Sequence, residues 1–129
     1  MRLNYRIALV LMAGILIGVA GARLVHAQQP RTAPAYVIAE VEVTDPSTLQ
    51  KYGEKAPQIV ASFNGHYVVR GGKTVALEGQ PPKGYIVVIG FDSLEKAQAA
   101  FTSAEYKEGR KIGDKYAKFR IWAMEGVSP

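Results

Sequence analysis

Four kinds of side chain in this sequence could do chemistry together. They are the carboxylate of Glu40, the imidazole of His66, the guanidiniums of Arg70, Arg110 and Arg120, and the indole of Trp122. A guanidinium is a rigid fork that matches a carboxylate, and an indole offers a flat wall for a ring to stack on. One reading of the set is therefore a pocket for a small anionic or polar-aromatic ligand. The competing reading makes Glu40, Arg70 and Arg120 ion pairs that set the register of a dimer, because a charge buried alone is costly. His66 is the candidate general base. A lone histidine with no placed partner is nevertheless more often an ordinary strand or surface residue.

Other chemistries are excluded by residue type. Beyond residue 27 there is one histidine, and there is no cysteine in the chain, so no recognised metal-ligand spacing is available. Gly71-Gly72 follows a strand pattern but opens no helix and lacks the Gly-x-Gly-x-x-Gly spacing of a phosphate cradle. It marks a turn or bulge. No metal and no cofactor is expected.

The elements that must position these residues are legible from periodicity. Residues 36–43 alternate, with Val37, Ala39, Val41 and Val43 on one face and Tyr36, Ile38, Glu40 and Glu42 on the other. Asp45-Pro46 then opens a helix running to Asn64-Gly65, with Pro57 predicting a kink or two short helices. HYVVR at 66–70 reads as a second strand that groups His66, Val68 and Arg70 on one face. Lys73 to Leu77 suggests a short hairpin arm, and YIVVIGF at 85–91 a central strand buried on both sides. Asp92-Ser93 caps a helix, Ser103 starts another running to about Tyr116, and FRIWAME at 119–125 is the last strand. The same parity groups Arg120, Trp122 and Met124. Lys107 to Arg120 is basic and reads as a solvated helix face with Glu–Lys pairing, from which Arg110 could reach the pocket rim.

The chain starts with Arg2 and Arg6, continues with an unbroken apolar run from Ile7 to Ala20, and closes this stretch on Val25-His26-Ala27. A basic start, short apolar middle and small-x-Ala end are the parts of a secretory signal peptide. Residues 1–27 are therefore expected to be a signal segment and 28–34 (QQPRTAP) a linker. Export to the bacterial periplasm or beyond follows, with retention in the inner membrane through residues 7–22 as the alternative. The formal charge of +5 falls to +2 once residues 1–27 are removed, so the basic balance does not argue for nucleic acid. The 102 residues left suffice for one domain, which must rely on its apolar core and would gain from dimerisation.

The order β-α-β-(β)-β-α-β predicts an α+β fold of the ferredoxin-like, split βαβ type, with an antiparallel sheet covered by helices on one face. Several stretches together resemble the domain-of-unknown-function family 1330, one of the dimeric α/β barrel families. They are AYVIAEVEVTDPSTLQKY at 35–52, GHYVVRGG at 65–72, Leu77-Glu78-Gly79, VVIGFDSLEKAQAAF at 87–101, Ser103-Ala104-Glu105-Tyr106 and Met124-Glu125-Gly126. The likeness covers nearly all of 35–127. It implies a ferredoxin-like subunit whose sheet packs face to face in a homodimer, and it brings no function with it. Many relatives lack a signal peptide, and 107–118 is more basic here.

The expected function is that of an exported homodimeric domain binding a small polar or anionic ligand, between sheet and helices or at the dimer interface. The alternatives are a cofactor-independent monooxygenase- or isomerase-like enzyme and a purely structural or partner-binding protein. In the enzyme reading His66 is the base and Arg70 or Arg120 stabilises an anion. Expected partners are a second copy and the ligand, with no nucleic acid and no stable membrane span after cleavage.

Overall fold

The computed structural model describes residues 32–128, with the side chains of residues 48–52 left aside. The expected signal segment 1–27 and the linker as far as residue 31 lie outside the described residues. Within them the chain forms β1 (Ala35–Val43), α1 (Pro46–Ser62), β2 (His66–Arg70), β3 (Tyr85–Phe91), α2 (Leu94–Thr102), α3 (Ala104–Gly113) and β4 (Ala117–Glu125). The four strands make one antiparallel sheet in the order β2-β3-β1-β4. This is the ferredoxin-like arrangement the sequence predicts.

Alternation in β1 decides which side the helices cover. Ala35, Val37, Ala39 and Val41 are all buried: Ala35 and Val37 meet Val60 of α1, Ala97 and Ala100 of α2, and Ile89 and Phe91 of β3, whereas Ala39 and Val41 form a second cluster with Ala117 of β4. Phe91 and Val37 are the largest fully buried side chains, each contributing about 1.5–3 kcal/mol of transfer free energy. Among the described residues no helix covers the opposite sheet face, which carries Tyr36, Trp122 and Met124 37–46% exposed.

Caps fix the helix ends. The Asp45 carboxylate accepts the Ser47 backbone N–H at 3.0 Å. Ser103 serves two helices: its hydroxyl donates to the Ala100 carbonyl at the end of α2 and accepts the Tyr106 N–H at the start of α3. Asn64 takes a left-handed φ of 58° after α1, and its amide donates to Asp92 at 2.8 Å. Gly65 follows because a Cβ there would stand 2.6 Å from the Phe91 ring.

Three expectations are corrected. α1 runs unbroken through Pro57 as one 17-residue helix, because its neighbours tolerate a single lost backbone hydrogen bond. Lys73 to Leu77 forms no strand; residues 71–84 are an irregular arm entered through Gly71 and Gly72 at positive φ. The central strand β3 is covered by helices on one side only, with Ile86 and Val88 half-buried on the open face.

Candidate functional site

The open sheet face brings Glu40, Arg120 and Trp122 together. Glu40 lies opposite Arg120 in the β1–β4 register and is only 4% exposed. Its Oε2 accepts Arg120 Nε at 2.8 Å and also Arg120 Nη2, so two N–H groups of one guanidinium converge on a single carboxylate oxygen. Its Oε1 accepts the Lys83 backbone N–H at 2.6 Å. These bonds, the arginine first, hold the Glu40 carboxyl below its ordinary range, against the opposing effect of burial. The Arg120 guanidinium carbon sits 5.3 Å from the Trp122 ring centre. Glu40, Glu42, Lys83, Lys118 and Arg120 line a charged cleft of about 150 Å³ here. His66 shares this face, with its ring over Gly90, where a Cβ would stand 2.7 Å away. It stands in the cross-strand row of Tyr36, four residues along β1 from Glu40, which is about 13 Å.

A second cavity, of about 110 Å³, lies between the sheet and the helices. All four strands floor it: Tyr67 and Arg70 from β2, Tyr85, Val87 and Ile89 from β3, Ala39 and Val41 from β1, and Phe119 and Ile121 from β4. Gly53, Ala56, Ile59 and Val60 of α1 roof it, with Ala100, Phe101 and Tyr106. Its walls are largely apolar, and Arg70 is the one charged group among the described residues that line it. The Arg70 guanidinium lies 4.9 Å from the Tyr67 ring centre and donates to the Gly53 carbonyl at 3.0 Å. Burial raises the pKa values of Tyr67 and Tyr85 above the ordinary phenol value, although the Arg70 charge pulls both down. Both phenols are therefore protonated at neutral pH and free to donate.

The Domain of unknown function (DUF1330) family matches residues 34–127. The chain belongs to the DUF1330 family. No curated protein matches it. Solved structures show the same fold at low identity. A protein of unknown function from Rhodopseudomonas palustris is 15% identical with a TM-score of 0.58, over 81% of this chain and 89% of that one. SnoaB, a cofactor-independent oxygenase from Streptomyces nogalater, is 9% identical with a TM-score of 0.53, over 76% and 97%. A candidate antibiotic biosynthesis monooxygenase from Caulobacter crescentus CB15 is 11% identical with a TM-score of 0.52, over 76% and 93%.

In this DUF1330 protein the six singled-out residues divide between two faces. Glu40, His66, Arg120 and Trp122 lie on the open face, while Arg70 and Arg110 lie on the helix side. Arg70 departs from the strand parity for a definite reason. The β2–β3 register shifts between Tyr67 and Val69, so Val68 is an extra residue and Arg70 pairs with Val87, whose side chain lines the cavity. Arg110, on α3, stacks 3.9 Å from the ring centre of Phe119 and pairs with Asp114 at 2.7 Å, away from the open-face rim. The tyrosines of the cavity, Tyr67, Tyr85 and Tyr106, were not singled out from the sequence. One signal pointed there: Pro57 removes the hydrogen bond that would reach the carbonyl four residues back, at Gly53, and that is the carbonyl Arg70 takes.

Among the described residues no group of three or more His, Asp or Glu could hold a metal ion, and no helix is long and apolar enough to cross a membrane.

Proposed function

We propose that this DUF1330 domain is an exported homodimeric binding module whose ligand, a small and largely apolar anion, sits in the cavity between sheet and helices. The observation that carries this reading is the cavity itself: an apolar, tyrosine-bearing slot across four strands, with a guanidinium at its edge and no carboxylate among its described lining residues. Apolar walls with a few placed polar groups are the ordinary build of a small-molecule site. Arg70 supplies charge for an anion, and the protonated phenols of Tyr67 and Tyr85 supply donors. Dimerisation is supported by the open face, where Tyr36, Ile38, Val88, Trp122 and Met124 surround the Glu40–Arg120 pair. Export rests on the pattern of residues 1–27.

The test is thermal unfolding with a panel of small aromatic acids, on the wild-type protein and on Ala56→Phe, which fills the roof of the cavity. A ligand at 100 times its Kd adds about 2.7 kcal/mol. In a domain of this size that raises Tm by about 10 °C, an increase Ala56→Phe should abolish. No response across the panel, or an equal response in Ala56→Phe, would overturn the reading. The oxygenase alternative needs its base beside the ligand, and His66 lies across the sheet from this cavity.

A further inference from the structure

Gly53 is out of place in the sequence of α1. It lies near the middle of a 17-residue helix, where glycine is the poorest choice after proline because it gives up the most backbone freedom. A glycine inside a helix ordinarily has a packing or a functional reason. Packing supplies none here: among the described residues, a Cβ built on Gly53 meets no atom within 4 Å outside its own helix. Gly65 and Gly84 show the contrast, since an added Cβ would collide with the Phe91 ring at the first and with the Val41 carbonyl at the second.

The space that Gly53 leaves open belongs to the cavity. Gly53, Ala56 and Val60 follow one another three and then four residues apart, and all three line its roof. The absent side chain is therefore missing from the face that looks down on the sheet. Donors gather at the same place. The Gly53 carbonyl accepts one N–H of Arg70 at 3.0 Å, and the Arg70 charge acts on the phenols of both Tyr67 and Tyr85. A guanidinium carries five N–H groups, so most of the Arg70 fork is left over from the Gly53 contact. No carboxylate stands among the described residues that line the cavity to take it.

Building on the cavity reading above, we propose that Gly53 is a specificity-determining residue of this site: its missing side chain makes the berth for the carboxylate of an organic acid. The carboxylate lies against the bare helix backbone beside Arg70 and the two phenols, and the apolar body of the acid lies deeper between sheet and helices. A side chain at position 53 takes the place of that carboxylate. A purely structural reason for the glycine makes the opposite forecast for stability. The Pro57 ring crowds the carbonyl four residues back, which is that of Gly53, and a glycine needed only to relieve that crowding is destabilised by any replacement.

The experiment pairs the melting temperature without ligand with calorimetric titration by two aromatic acids of different reach, benzoate and 4-methoxycinnamate. It uses the whole protein as wild type, Gly53→Ala, Gly53→Leu and Ala56→Phe. Gly53→Ala should melt about 4–8 °C higher than the wild type, the gain from one glycine replaced in a helix interior. Gly53→Leu should bind whichever acid the wild type takes at least about tenfold more weakly, the value of one hydrogen bond to a charged group. Gly53→Ala should bind it with an affinity between the two, and it serves if Gly53→Leu does not fold. Affinity lost while stability is gained is a combination that a structural glycine does not give. A lower melting temperature for Gly53→Ala, or wild-type affinity in the Gly53 variants while Ala56→Phe has lost binding, overturns the assignment of Gly53 and leaves the cavity reading standing. Binding of neither acid by the wild type, or undiminished binding by Ala56→Phe, overturns both.

Discussion

Glu40 keeps a charge in a nearly buried position because its inward surroundings are donors: a guanidinium fork and a backbone N–H. Its folded pKa is therefore lowered, and the stability this contributes is present above the ordinary glutamate value of 4.5 and is lost as pH falls through the folded value. Glu40→Gln should unfold at lower urea than the wild type at pH 7, and the gap should narrow steadily below pH 4.5. A gap of constant size from pH 7 to pH 3 would show that the pair stabilises through shape and not through charge. At this scale the sequence was informative. Opposite charges at positions 40 and 120, on strands that the fold makes neighbours, announced the pair, whereas Arg70 could not be assigned to a cavity that only the helices complete.

Among the elements, α1 and β2 are coupled by a defect. Pro57 leaves the Gly53 carbonyl without its helical partner, and Arg70 supplies the missing donor. Pro57→Ala restores the backbone bond, so the protein should gain about 1–3 kcal/mol of stability in denaturant unfolding. The same substitution should weaken binding of an aromatic acid in the cavity, since Arg70 is then no longer held at its edge. Greater stability with undiminished affinity would show that the Gly53 contact does not place Arg70 for binding. The split into two short helices, one of the outcomes expected at Pro57, does not occur, and Arg70 was misplaced by parity; in both cases tertiary contacts decide a local outcome. The β2 bulge inserts Val68 and turns Arg70 toward the helices, and no residue in HYVVR signals an insertion in advance. The strands and helices themselves were legible because their alternation and caps are local, as at Asp45 and Ser93, whose side chains accept the backbone N–H groups of Ser47 and Lys96. The arm at 71–84 was not, since its turn residues allow a hairpin that the fold does not form.

At the scale of the domain, the described helices cover one face of the sheet, and the other is available to water or to a partner. Apolar exposure at Tyr36, Trp122 and Met124 beside an ion pair whose carboxylate is buried and whose guanidinium is exposed supports the proposed closure on a second copy. Trp122→Glu should convert a dimer to a monomer in sedimentation analysis while the far-ultraviolet circular dichroism stays that of an α+β fold. A wild-type protein that sediments as a monomer would remove the homodimer from the proposal and leave the cavity reading untouched, because the strand residues that line the cavity lie on the other side of the sheet from that face.

The most direct test of the central claim uses the fact that neighbouring residues of β3 face opposite ways. Val87 and Ile89 line the cavity, whereas Ile86 and Val88 lie on the open face. Methyl resonances of these four residues, followed by nuclear magnetic resonance while 4-methoxycinnamate is added, report which side of the sheet the ligand occupies. The account predicts that Val87 and Ile89 shift in a saturable way and that Ile86 and Val88 stay in place. Shifts confined to Ile86 and Val88 would move the binding site to the open face and contradict it.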